Sequence, residues 1–171
     1  MKTPLFKTLR NRGSSLIETV IAMGVLAVAI PLVFGALAES GKSGLSSEAE
    51  TRSTWMIPVC MEEVQASRDG RPQFFTTTKV GETFPPAGDV WALAFSPEGK
   101  PVGKISKAVY EKGTKEVDGQ PVRYIASLDS SSPTTPITGS TPMLKMHISL
   151  EYPATSPAAK RQKLEFYTRI P

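Results

Sequence analysis

The sequence is poor in the residue types that most catalytic and metal centres need. Its 171 residues include one cysteine, Cys60, and one histidine, His147. A single cysteine excludes an intrachain disulfide and a zinc site built from cysteines, and a single histidine excludes most histidine-based metal sites. The motifs GxGxxG, Walker A, HExxH and GxSxG do not occur. The sequence therefore predicts a protein that is not an enzyme and that uses no cofactor and no metal.

The excess of positive charge is confined to the N-terminus. The chain has a net charge of +4 and a pI of about 9.2. Residues 1–13 contain Lys2, Lys7, Arg10 and Arg12 and no acidic residue, so they account for the whole excess. A nucleic-acid-binding surface needs basic residues clustered on the folded domain. No nucleic-acid partner is therefore predicted.

A long apolar run follows this basic segment. From Thr19 to Ala38 the chain has no charged side chain. As a helix, a run of this length spans about 30 Å, the thickness of a bilayer core. The basic residues before it predict a cytoplasmic N-terminus. Pro31 is expected to bend the helix. Glu18 is expected to need a partner or an interfacial position, because a carboxylate deep in a membrane costs about 2.5–3.5 kcal/mol.

Two general interpretations of the run stay open from the residues alone. In the first, it is a secretory signal peptide cleaved after Ala36-Leu37-Ala38, so that the mature chain begins at Glu39; the run is longer than the usual apolar region of about 7–15 residues. In the second, it is a plain membrane anchor. Ser15 and Glu18 have the spacing of a capping box, so Glu18 would then stabilise only its own helix N-terminus.

A third interpretation comes from a family resemblance. Gly13-Ser14-Ser15-Leu16-Ile17-Glu18, set between a short basic leader and the apolar run, resembles the class III signal of type IV prepilins and type II secretion pseudopilins. The resemblance implies that prepilin peptidase cuts after Gly13 and methylates the new amine of Ser14. Glu18 is the fifth residue counted from Ser14, which implies that it pairs with the N-terminal amine of a neighbouring subunit. Two features depart from the family: Ser14 replaces the usual Phe, and Pro31 precedes the usual proline position.

An amphipathic helix is predicted over Ser47–Ser67. Its apolar side chains recur at helical spacing and are expected to form a core stripe; they are Trp55, Met56, Val59, Cys60 and Val64. A bend or break is expected in the polar segment Glu39–Ser47 and again at Pro58. Glu62 and Glu63 are expected to be solvated.

The remainder reads as short strands separated by turns. The predicted strands are Phe74–Val80, Val90–Ser96, Lys104–Lys112, Pro121–Asp129, Met143–Tyr152 and Lys163–Ile170. Within the fourth strand, Val122, Tyr124, Ala126 and Leu128 are expected to share one face. His147 is expected to face solvent without a function. The turn Phe95-Ser-Pro-Glu-Gly99 resembles the Phe-x-x-x-Gly hairpin of minor pseudopilin heads.

The predicted fold class is α+β, a pilin-like long N-terminal helix packed on an antiparallel β-sheet head. The expected division is a leader (1–13), a transmembrane and filament-core helix (14–38), an amphipathic continuation (39–67) and a β head (68–171). The resemblance implies a minor pilin or pseudopilin in the inner membrane, with its head on the outer side. The implied partners are prepilin peptidase, other subunits, the assembly platform and lipid. The alternative is a secreted or membrane-anchored β-rich binding domain.

Overall fold

The computed structural model describes residues 16–79, 82–131 and 144–170 of the chain. These residues form two compact units, one ending at Leu45 and one beginning at Ser46. The elements are α1 (Leu16–Arg68), β1 (Trp91–Phe95), β2 (Pro101–Ile105), α2 (Lys107–Lys112), β3 (Glu116–Val117), β4 (Gln120–Pro121), β5 (Tyr124–Ser131), β6 (Leu144–Tyr152) and β7 (Gln162–Ile170). The predicted α+β class is confirmed.

Helix α1 has no break at either predicted position. It remains helical through Glu39–Ser47 and through Pro58. A proline removes one helical hydrogen bond, here the one that would end on the carbonyl of Thr54. Both Pro58 and Thr54 are exposed, so water can reach this turn of the helix. The cost of the missing bond is thereby limited, and the helix continues to Arg68.

The C-terminal unit contains a five-stranded sheet in the order β2-β1-β5-β6-β7. Every neighbouring pair is antiparallel. The small hairpin β3–β4 lies between β2 and β5 along the chain and forms a separate two-stranded sheet. The predicted strands Val90–Ser96, Met143–Tyr152 and Lys163–Ile170 correspond closely to β1, β6 and β7.

The segment that follows α1 is not a strand over residues 74–79, although Phe74–Val80 was predicted as one. Its backbone is instead bonded to the end of α1. The amides of Phe74 and Phe75 donate to Glu63, and the amide of Thr78 donates to the carbonyl of Ser67 at 3.2 Å. The Glu63 carboxylate and the Ser67 carbonyl of the helix thus take the place of a neighbouring strand.

The predicted strand Lys104–Lys112 is also wrong beyond its first two residues. β2 ends at Ile105, and α2 covers Lys107–Lys112. Ser106 has the extended backbone of a residue that precedes a helix. Gly113 ends the helix with φ +89° and donates its amide to the carbonyl of Val109. A side chain at Gly113 would also meet the backbone carbonyls of the turn after β6.

The predicted strand Pro121–Asp129 begins later than expected. Pro121 belongs to the β3–β4 hairpin, and β5 starts at Tyr124. Val122 lies between them, and its amide bonds to the carbonyl of Lys115. It packs in a different apolar cluster from Tyr124, so the expectation that it shares a face with the β5 residues is wrong.

Two apolar clusters cover the two faces of the sheet. The larger joins the Ser46–Arg68 part of α1 and the loop after it to one face of the sheet. Trp91 lies in this cluster, stacked between Phe75 at 4.6 Å and Phe84 at 5.0 Å. The smaller cluster includes Ala92 and Ala94 and lies on the other face. All five residues of β1 are therefore buried, and all five are apolar.

Candidate functional site

The predicted site residues fall at the N-terminus of α1. Gly13 and Ser14 lie outside the described residues. Glu18 is in the first turn of α1 and is exposed. The hydroxyl of Thr19 donates to the carbonyl of Leu16 at 2.8 Å, which satisfies one local backbone acceptor. A carboxylate at this end of a helix is favoured, because the helix dipole is positive at its N-terminus.

The N-terminal part of α1 has an apolar surface that the described residues leave uncovered. Its most apolar 18-residue window has a mean hydropathy of 2.6, and none of that window is buried. The large apolar side chains from Leu16 to Leu37 are 50–84% exposed. By length and composition this helix is able to cross a membrane. An apolar surface of this size calls for lipid or an apolar protein surface around it.

The C-terminal part of α1 presents its core stripe to the sheet. Met56, Cys60 and Val64 are at most 1% exposed, as the helical spacing predicts. Trp55 does not belong to the buried stripe, because it is 47% exposed. Burial raises the pKa of the Cys60 thiol to about 12. Since the thiolate is the reactive form, this cysteine serves as a packing residue rather than a nucleophile.

Glu63 is buried, contrary to the expectation that it is solvated, whereas Glu62 is exposed as expected. The Glu63 carboxylate accepts three backbone amides from the loop after α1. They belong to Gln73, Phe74 and Phe75, at 3.2, 2.6 and 2.9 Å. The carboxylate thus fixes the loop that carries Phe75 to its stacking position on Trp91. The sequence offers no signal for this role, because an acid beside an apolar stripe usually faces water.

The turn between β1 and β2 lies against α1. A side chain at Gly99 would approach Trp55 Nε1 to 2.8 Å, so only glycine allows the turn to come this close. Arg52 donates to the carbonyl of Glu98 at 2.9 Å. Within the turn, the Ser96 hydroxyl donates to the Glu98 carboxylate at 2.8 Å. This is the turn that resembles the Phe-x-x-x-Gly hairpin, and its contacts are with the amphipathic part of the helix.

A buried ionic cluster lies on the other face of the sheet. Glu151 on β6 and Arg161 before β7 are both fully buried and pair at 2.9 Å. Lys163 and the hydroxyl of Tyr110 bond the second carboxylate oxygen, at 2.9 and 2.7 Å. Arg161 also donates to the carbonyls of Ser156 and Tyr110. The cluster therefore ties α2 and the turn after β6 to the sheet.

Two donors of this cluster, Lys163 and Tyr110, have a raised pKa. The hydrogen bond to Glu151 raises the pKa of Lys163. Burial, and then the hydrogen bond to Glu151, raises the pKa of Tyr110. Both groups thus stay protonated near neutral pH and act as donors to Glu151. Sequence reasoning missed the cluster, since Glu151 has the same strand parity as the polar Lys145 and His147.

His147 is partly buried rather than fully solvated. Its Nδ1 lies 3.0 Å from the Asp129 carboxylate, and its ring stacks on Tyr167 at 4.7 Å. These three residues are directly opposite one another on β5, β6 and β7. The row is built as a cross-strand stack, and no nucleophilic side chain joins it in the described residues.

Among residues 16–79, 82–131 and 144–170, no three His, Cys, Asp or Glu side chains are grouped so that they could hold a metal ion. The polar groups described above bond to other members of their own cluster or to the backbone. The residue-level features that bear on function are therefore the uncovered apolar helix and the exposed acid at its start. Comparison with family models, with curated proteins and with solved structures gives no match.

Proposed function

We propose that the chain is a minor pilin or pseudopilin, a structural subunit that is processed by prepilin peptidase and assembled into a type IV pilus or a type II secretion pseudopilus. The observation that supports this proposal most strongly is that α1 has two different parts. Its N-terminal part is apolar and uncovered, while its C-terminal part forms the core of a unit with an antiparallel sheet. A subunit of this kind would use the first part in membrane and filament, and the second as the support of its head.

The polar details support the same proposal. Glu18 stands at the start of the apolar helix, where an ammonium created at Ser14 would lie about one helical turn away in sequence. In an assembled filament, the amine of a neighbouring subunit would neutralise the carboxylate in an apolar environment. Such pairing offsets part of the cost that lipid imposes on an isolated charge. The subunit would sit in the inner membrane before assembly, with its N-terminus in the cytoplasm.

Its partners would be prepilin peptidase, the other subunits, the membrane assembly platform and lipid. The role would be non-catalytic. The continuity of α1 through Glu39 favours this proposal over a signal peptide ending at Ala38, because the apolar and packed parts form one helix. A membrane-anchored β-rich binding domain remains the competing function, and it predicts a different mature N-terminus.

Intact-mass and peptide mass spectrometry of the protein purified from its native membrane tests the proposal. We expect a chain that begins at N-methylated Ser14, and we expect the Gly13→Ala variant to retain its leader because the peptidase requires the glycine. A mature chain beginning at Glu39 would establish the signal-peptide alternative. A chain that keeps residues 1–13 in the wild type would establish the plain anchor.

A further inference from the structure

The two edges of the main sheet differ in their protection. β2 is short, begins at Pro101 and is followed at once by α2, and its pairing with β1 shifts register between Ala94 and Phe95. Such features hinder the addition of another strand. β7 is the opposite case: nine residues without a proline, in unbroken register with β6. In the part of the chain that the structure describes, no strand pairs with its other edge.

The side chains of β7 form two distinct rows. Glu165, Tyr167 and Arg169 point to one face and are exposed, and Tyr167 is 72% exposed. The other row consists of partly buried residues at the margin of the larger apolar cluster; it contains Leu164, Phe166, Thr168 and Ile170. The edge strand β7 thus has a partly buried, mainly apolar row on one face. On the other face it has the exposed row of Glu165, Tyr167 and Arg169.

We propose that β7 pairs antiparallel with β7 of a second copy of this chain, about a two-fold axis at Tyr167. In this register Glu165 lies opposite Arg169 of the second copy, and the symmetry produces this pair twice. On the other face Leu164 lies opposite Ile170 and Phe166 opposite Thr168, so the two apolar margins join. Opposite charges and apolar pairs facing each other across two strands are both stabilising.

Charge disfavours the registers on the N-terminal side of this one. The register on its C-terminal side, centred on Thr168, places Arg169 opposite Tyr167 and loses both Glu165–Arg169 pairs. A two-fold axis normal to the sheet keeps each face on its own side, so the axis moves in steps of one residue along the strand. Centred on Phe166, the pair would place Lys163 opposite Arg169 twice. Centred on Glu165, it would place that carboxylate opposite its own copy. Like charges directly opposite one another are destabilising.

The charged groups at this edge are available for such a contact. Arg169 makes no ion pair with a described residue, and residues 132–143, outside the described ranges, contain no acid in their sequence. Glu165 accepts a hydrogen bond from the Tyr167 hydroxyl at 3.0 Å and keeps a second carboxylate oxygen for Arg169 of the second copy.

The symmetry also fixes what the contact connects. A two-fold axis normal to the sheet reverses the direction of the Ser46–Arg68 helix, which packs along the sheet. The contact would connect the C-terminal units of two copies whose helices over residues 46–68 run in opposite directions, and it rests on β7 alone rather than on the proposed function.

Charge reversal in the full-length chain, purified in density-matched detergent, tests the pairing. We expect sedimentation equilibrium to show a dimer for the wild type. Arg169→Glu and Glu165→Arg should each weaken it about tenfold or more, because each creates two like-charge pairs. The double variant with both changes should recover the wild-type dimer, since it exchanges the two charges across the axis.

A disulfide trap tests the register independently of the detergent. Directly opposite Cα atoms in an antiparallel pair are about 4.5–5.5 Å apart, within the range that a disulfide spans. We expect Tyr167→Cys to form a covalent dimer under mild oxidation, and we expect neither the wild type, whose cysteine is buried, nor Lys104→Cys on β2 to do so. A monomer at all concentrations, a dimer indifferent to charge reversal, or equal trapping at position 104 would overturn the proposal.

Discussion

At the scale of single residues, Glu63 holds the loop after α1 in place, a role that its position on the helix does not suggest. We expect Glu63→Gln to destabilise the folded chain by about 1–3 kcal/mol, because the carboxylate accepts three backbone amides and an amide side chain turns one donor toward them. The shift in the urea midpoint of the purified protein, followed by circular dichroism, measures the effect.

Glu62→Gln is the matched control for this change, because it makes the same chemical substitution at the neighbouring, exposed position. Exposed substitutions of this kind usually stay within about 0.5 kcal/mol of the wild type. Equal midpoints for the two variants would show that the Glu63 carboxylate is not what fixes the loop.

At the scale of elements, the β1–β2 turn depends on one close approach. Gly99 has φ +83° and its absent side chain leaves room for Trp55, whereas Gly119 has φ +74° and open space around it. Both Gly→Ala changes should cost about 1–2 kcal/mol for the backbone conformation. We expect Gly99→Ala to cost more, because it also displaces Trp55.

Thermal unfolding and tryptophan emission together check this expectation. The lower midpoint of Gly99→Ala should come with a change in emission, since Trp55 moves while Trp91 stays buried in its stack. Gly119→Ala should lower the midpoint without changing the emission. If the two variants have the same midpoint and the same spectrum, the turn does not rest on Trp55 in solution.

Sequence patterns correctly predicted those elements that pack on the core through one regular apolar face. The alternation of Leu144, Met146 and Ile148 predicted β6, and the spacing of Met56 and Cys60 predicted the buried stripe of α1. The patterns failed where contacts with residues distant in the sequence determine the local structure. The 74–79 segment bonds to Glu63 and Ser67 of α1 instead of a strand. A six-residue helix replaces the end of the expected third strand.

The same distinction applies to the polar sites. The alternating pattern of β6 places Glu151 on the face opposite to Met146 and Ile148. The pattern gives no sign that α2 and the turn before β7 cover this face. These elements bring Arg161 into contact with Glu151. Burial of a charge depends on elements far apart in sequence, so short-range periodicity carries no information about it.

At the scale of the whole molecule, the two parts of α1 have different surroundings. Among the residues that the structure describes, none covers the large apolar side chains of its first part, whereas its last part is packed against the sheet. An apolar surface of this size calls for lipid or apolar protein around it, and a subunit that moved from membrane to filament would find one or the other in both places. The proposed function accounts for the extension, and Glu18 is the residue on which it is tested.

We expect Glu18→Ala to leave membrane insertion intact and to impair incorporation into filaments. Removing a carboxylate lowers the cost of placing the helix in lipid, so the variant should fractionate with membranes as the wild type does. It also removes the proposed partner of the N-terminal amine of a neighbouring subunit, so less of the variant should co-purify with the major subunit in sheared filaments. Glu18→Asp keeps the charge and should be incorporated better than the alanine variant. Wild-type co-purification of Glu18→Ala would contradict the pairing, because the subunit would then assemble without the carboxylate.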